Sequence, residues 1–364
     1  MNGTLRTGLA AACACAVLAG AVVSAGSQPA RSVVLPPATR QALLTAVRQP
    51  AAFLAEHLAV RDAAPNPLVV ETLATLPPGL SPAPSLGAAL DAIRATAQPD
   101  GGFYGTLSPD PTSETAQALH ALQAAGRDDD RPAVGAAGRF LVAQQLDEGE
   151  GVTPEDRFYG SFGRGLTRSA QEPGGNVLTT ESALRALGEA GIPRGSETWK
   201  KAVVFLERCQ NDNENNDQGW AGNDGGFVLF PGFSLAAEEL HSFGSATLAG
   251  YLGFTHAGLR RGDARVDHSV DWVQREFALD ANPFVGSRGL MQYYALLARA
   301  LRTAGLDMVT DAKFRRHNWR EELARKLLVL QQSNGQWTNP DDPTERDPQV
   351  ATSYALLALG DILR

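Results

Sequence analysis

The chain has 364 residues, 43% of them hydrophobic, so a sizeable core can form without metal or disulfide staples. Its 32 basic and 40 acidic residues give a formal charge of −8, with no Lys/Arg-rich run to grip a phosphate backbone. Nucleic acid is therefore excluded as an expected partner.

The first predicted element is an export signal over residues 1–25. Arg6 closes a short n-region, Gly8 to Val23 is an uncharged run, and Val23-Ser24-Ala25 offers small residues for cleavage before Gly26. An uncleaved anchor is the alternative, since Thr7 to Ala25 nearly reaches bilayer length. A lipoprotein attached through Cys13 or Cys15 is a second. Cleavage is expected, because alanine-rich runs insert weakly and no basic stop-transfer cluster follows. The mature protein would then be periplasmic or extracellular, without a stable membrane span. Cys209 would be its one cysteine, unable to form an internal disulfide and suited to packing.

Residues 26–85 read as an N-terminal helical segment and a proline-rich linker. Helix-compatible runs at Gln41 to Arg48 and Ala51 to Val60 place a degenerate helix pair within 38–76, set off by prolines between Pro65 and Pro84. From residue 86 to 364 a repeat emerges. Thr115, Thr180, Thr247 and Thr352 are each followed by apolar residues at +4 and +7 and a small one at +3, and Tyr294 fits the same frame. Such positions share one helical face. Gly126, Gly191, Gly258 and Gly305 stand at +11, where a helix end favours a left-handed residue. Asp110-Pro111 and Asp347-Pro348 read as N-caps followed by an N1 proline.

Each anchored helix follows another amphipathic stretch ending in glutamine: Leu86 to Gln98, Pro132 to Gln145, Trp199 to Gln210, Val266 to Gln274 and Trp319 to Gln332. Strand signals are nearly absent, Phe227 to Phe230 being the one candidate. The predicted fold is all-α, a single α/α toroid of about six helix hairpins.

The last copy, Gln331 to Trp337 followed by Thr352, Tyr354, Ala355, Leu356 and Leu359, resembles the Gln-Trp repeat of the prenyltransferase/squalene-oxidase superfamily. Asp224-Gly225-Gly226-Phe227 with Phe243 to Gly250 is similar to repeats of bacterial terpenoid-cyclase-like proteins. The resemblance implies inner helices around a cavity that holds isoprenoid chains in the enzymes. It implies no known catalytic set: Asp128-Asp129-Asp130-Arg131 departs from the cyclase Asp-x-Asp-Asp and reads as a solvated turn. Glu207-Arg208-Cys209 departs from the prenyltransferase Asp-x-Cys zinc ligands, and the Cys-Gly-Glu-Gln of thioester toroids is missing.

No metal or cofactor is expected. His120, His241, His256, His268 and His317 are scattered, and the loop Asn211 to Asp217 lacks the Gly and Glu of a calcium loop. Tyr251, Phe254, Tyr293 and Tyr294 are candidates to offer π-faces to a polyene or cation. Glu114 and Glu181, near inner-helix starts, are candidates for an acid/base pair. The long connections 146–178 and 211–243 carry aromatics, among them Phe230, and are expected to cover one mouth of the ring together, beside His241 and Phe243. The candidate ligand-binding set is thus Glu181, Phe230, His241, Phe243, Tyr251 and Tyr293, and the expected partner is a hydrophobic small molecule or lipid. A non-catalytic scaffold and a polysaccharide-processing toroid remain alternatives, because fold does not fix function.

Overall fold

A computed structural model describes residues 35–58, 65–77, 80, 83–105, 107–163, 174–236 and 240–364. The expected export signal lies outside them. Six inner helices follow one another around a closed ring: α3 (Pro67–Thr75), α5 (Pro111–Ala125), α7 (Val177–Glu189), α9 (Gly244–His256), α11 (Leu290–Thr303) and α13 (Pro348–Leu363), with α13 packed back on α3. Outside them lie α4 (Ala83–Arg94), α6 (Arg131–Val142), α8 (Glu197–Cys209), α10 (Ala264–Arg275) and α12 (Trp319–Leu330). The sixth outer place is taken by α1 (Pro37–Ala46) and α2 (Arg48–His57), which bridge α12, α13 and α3. The all-α toroid is therefore the fold.

Helix ends follow the sequence chemistry. Asp110 and Asp347 cap α5 and α13 ahead of N1 prolines, accepting from Ser113 N and Gln349 N. Asn66 does the same for α3, so the proline-rich stretch contains an inner helix: Pro67 starts it. Gly126, Gly191, Gly258 and Gly305 all take positive φ just past helix ends, as a C-terminal left-handed turn requires.

The repeated residues are staples between the rings. The loop residues Phe103, Phe162, Phe227 and Trp337 are buried, and their backbone N–H groups donate to Thr115, Thr180, Thr247 and Thr352 hydroxyls at 2.9, 3.4, 3.0 and 3.1 Å. In the copy anchored by Thr247 the small residue at +3, Gly250, makes room for the loop aromatic. A Cβ on Gly250 would stand 2.3 Å from the Phe227 ring.

Gln145, Gln210 and Gln331 lie just beyond the outer helices they were expected to end, whereas Gln274 lies inside α10. Gln145 donates to Gly160 O in its own loop and to Thr198 O of the next outer helix, and Gln210 likewise to Gly225 O and Arg265 O. Gln331 donates to Gly335 O and, at 3.0 Å, to Ala46 O of α1, which closes the outer ring.

Two local expectations change. Phe227 to Phe230 forms only isolated bridges, to Gln210 and Phe233, whereas the described strands are Val309–Thr310 and Arg316–His317, an antiparallel pair in the α11–α12 connection. The Asp128–Asp130 turn is solvated only in part. Asp130 is buried, between Arg94 at 3.3 Å and Arg127 at 3.5 Å, because two guanidiniums offset the cost of removing its charge from water.

Candidate functional site

Helical geometry decides what faces the ring axis. With the threonine or tyrosine anchor at 0 turned to the loop aromatic, residues near +2, +5 and +9 come round to the opposite side. Position +5 is His120 in α5, Arg185 in α7, Arg299 in α11 and Leu357 in α13, and all four line a central cavity of about 180 Å³. Its wall also includes Leu68, Glu71, Leu178, Glu181, Leu296 and Tyr354. Sharing Leu178, Gln292 and Tyr354 with it is a 250 Å³ cavity at the N-terminal ends of the inner helices, bordered by Leu235, Phe243 and Val285. Sharing Glu71, Arg185, Arg299 and Leu357 is a 360 Å³ cavity at their C-terminal ends. Three cavities thus run in series along the axis.

The axis changes character along its length. Its middle and lower parts carry an ion-pair network. Arg185 binds Glu71 at 2.6 Å and Glu189 at 2.9 Å, and His120 reaches Glu189 at 2.6 Å and Ser182 Oγ at 3.2 Å. His256 meets Glu181 at 3.1 Å. Asp361 holds Arg302 at 2.9 Å and Arg364 at 3.1 Å.

Burial alone would raise the carboxyl pKa values, but the facing cations overcome it. Glu71 is held below its ordinary range by Arg185, His120 and Arg299, and Glu181 by His256 and the arginines. Glu189 is brought down to about 2 by His120 and Arg185. The same pairing outweighs burial at Arg185 and raises its pKa. These carboxylates are ionised at neutral pH.

The N-terminal mouth holds a different acid. Glu345 is buried there, accepting from Met291 N at 3.1 Å, Gln292 N at 2.8 Å and Asn339 Nδ2 at 2.7 Å. Burial pushes its carboxyl pKa up, and the nearby negative Asp342 adds to that.

The structure places the sequence candidates unevenly. Glu181 lines the central cavity and Phe243 the N-terminal mouth. Phe230 packs with Phe158 and Phe233, ring centroids 5.6 and 4.8 Å away, and Arg157 donates to Pro231 O. The two long connections therefore join one another, while Leu235 and Phe243 from the second reach the mouth. His241 is exposed and stacks at 6.4 Å on Phe284.

Tyr293 and Tyr294 turn outward, donating to Ala278 O and Leu279 O, and Phe254 packs edge-on to Phe227 in the core. Tyr251 is buried in α9 and does not line these three cavities. Glu114 is engaged by Ser108 and Gly105 N, apart from Glu181. Cys209 is buried, which pushes its thiol pKa up, and the Asn211–Asp217 loop is tied to the protein through Ser242, His268 and Arg208.

Glu71, His120, Arg185, Glu189, Arg299 and Asp361 were not among the sequence candidates. For all but Glu71, whose helix carries no anchor, the signal that finds them is the repeat frame itself: a titratable residue at +5 or +9 of an inner helix.

This architecture is that of a terpenoid cyclase-like α/α toroid. No protein-family model matches the chain, and no curated protein matches it in sequence. Among solved structures, a variant of the type II terpene cyclase MstE from Scytonema, in complex with its product merosterolic acid A, is similar at TM-score 0.55 and 15% identity. That alignment covers 90% of this chain and 99% of the cyclase. A second MstE variant, in complex with its substrate geranylgeranyl dihydroxybenzoate, is similar at TM-score 0.53 and 14% identity over 90% of this chain and 98% of that one. A protein from Actinoplanes is similar at TM-score 0.55 and 17% identity, over 88% of this chain and all of its own.

Proposed function

We propose that the protein binds an apolar, isoprenoid-like chain along the axis of its ring, outside the cytoplasm after export through residues 1–25. The observation that carries this reading is the series of three cavities with shared walls, in which Leu68, Leu178, Leu296 and Leu357 line the middle. These leucines form the apolar side of a cavity whose other wall carries Glu71, Glu181, Arg185 and Arg299, and in small-molecule sites fixed polar groups of that kind orient an apolar ligand. MstE, a protein of similar fold, holds a geranylgeranyl compound. Binding is favoured over alkene protonation, because a general acid must carry its proton and the axial carboxylates Glu71, Glu181 and Glu189 are held ionised.

Native mass spectrometry of the purified protein tests this. A co-purified or added geranylgeraniol should appear as a bound mass, and Gln117→Trp, which fills space at a half-buried wall position, should lower that occupancy at least tenfold. A protein that takes up no polyprenyl alcohol, with or without the tryptophan, overturns the reading.

One observation favours a second reading, in which the mouth is catalytic: Glu345 is a buried carboxyl with a raised pKa beside Leu178, Leu235 and Phe243. Under that reading Glu345→Gln abolishes conversion of a bound polyprenyl compound while leaving its uptake intact.

A further inference from the structure

The C-terminal cavity is more cationic than its neighbours require. Five arginines line it, Arg185, Arg194, Arg299, Arg302 and Arg364, against the three carboxylates Glu71, Glu189 and Asp361. Most of these cations are engaged. Arg185 is held by Glu71 and Glu189, Arg364 by Asp361 and Thr75 O, and Arg194 by His256 O while lying over the Trp199 ring.

Arg299 differs from them. It stands at the boundary of the central and C-terminal cavities, its side chain only 17% exposed, with Glu71 at 3.9 Å and Asp361 at 3.8 Å. Neither carboxylate is at hydrogen-bonding distance, and among the described residues no acceptor is. Both have closer partners in Arg185 and Arg302. A planar fork of five N–H donors lining both cavities suits a carboxylate or phosphate, which it meets with two parallel hydrogen bonds. Arg302 adds a second guanidinium on the same wall, one helical turn along α11 and bound to Asp361 only through Nε.

We infer that the C-terminal cavity is an oxyanion subsite, with Arg299 as its central donor and Arg302 beside it, and that it takes the carboxylate or phosphate head of the ligand whose apolar chain occupies the axis. The inference rests on the chain-binding reading above and makes it more specific, since the ligand becomes an anionic amphiphile. A low-dielectric wall strengthens each charge-assisted bond over its value in water. The head group then sets the direction of the chain, which runs from the arginines past Leu357 and Leu296 toward Leu178.

The test uses one chain with three heads: farnesol, farnesoic acid and farnesyl phosphate, titrated into the full protein by calorimetry. The acid and the phosphate should each bind at least tenfold more tightly than the alcohol, and the tighter of the two identifies the natural head. Arg299→Met should remove most of that advantage. Thr303→Glu, at an exposed wall position that leaves the ion-pair network intact, should do the same by placing a negative charge at the mouth. Equal affinity for all three heads, or an advantage unchanged in both variants, overturns the oxyanion subsite while leaving chain binding in place. Failure of all three ligands to bind overturns chain binding. In that case tight binding of inorganic phosphate alone, lost in Arg299→Met, still supports the subsite, and its absence overturns that too.

Discussion

On their outward sides the inner helices meet the outer ring through one set of contacts used again and again. A threonine hydroxyl takes a loop N–H, a loop aromatic fills the space beside it, and a glutamine ties the loop to the next outer helix. On their inward sides the same helices present, at equivalent positions, a histidine, two arginines and a leucine. The difference teaches where stability and specificity reside. Apolar burial and satisfied backbone groups act in every repeat, and each copy can resemble the last. The axis has to be made once, by six different helices, and its charges act only as a set.

The largest effect is expected on the outward side. Trp337 is fully buried, its indole donates to Leu327 O at 2.8 Å, and its loop leads into the closure between α12 and α1. Trp337→Ala should cost about 4 kcal/mol through lost burial and the cavity left behind. Chemical denaturation with a fluorescence readout measures it. A loss below about 1 kcal/mol would mean that the staple is dispensable and that the axis holds the ring.

A smaller loss is expected on the inward side. Arg185→Met leaves Glu71 without its closest cation and Glu189 with His120 alone, and a broken buried pair costs about 3 kcal/mol. The pH dependence separates this from a packing defect. Glu189 has a folded pKa of about 2 against an ordinary 4.5, so its contribution is present above pH 4.5 and is lost as the pH falls toward 2. In that window the unfolded chain binds more protons than the folded one, and stability rises with pH. The slope of stability against pH there should flatten in Arg185→Met. An unchanged slope would show that Arg185 does not hold these carboxylates ionised.

The same division explains what was legible. The ring, five of its inner helices and their ends could be read because the outward chemistry repeats: an anchor, a small residue, apolar residues and glycine recur at fixed offsets from Thr115 onward. Inner helix α3 was harder to place, since Asn66 and Pro67 start it inside a stretch whose prolines look like linker. The axis was not read, because the residues at +5 change identity from helix to helix and only the closed ring brings them together. Aromatic side chains misled for a related reason. A tyrosine on an inner helix fits a cavity or the space between rings equally well, and Tyr293 and Tyr294 take the latter because Ala278 O and Leu279 O accept their hydroxyls.

The finest test compares copies of one staple. Thr115, Thr247 and Thr352 accept a loop N–H at 2.9, 3.0 and 3.1 Å, while Thr180 does so at 3.4 Å. Threonine to valine keeps the shape and removes the acceptor, leaving a buried N–H without its partner, at a cost of about 1.5 kcal/mol. The same change at Thr180 should cost about half as much, because the longer bond has less to lose. Tyr294→Phe extends the series to the copy that replaces threonine, where the hydroxyl bonds Leu279 O at 2.5 Å and its loss should cost about 1 kcal/mol. Urea midpoints for the five variants rank these terms directly. Equal losses at Thr180 and Thr247 would show that the hydroxyl acts through its own helix, as Thr247 also does by donating to Phe243 O, rather than as a bond between repeat parts.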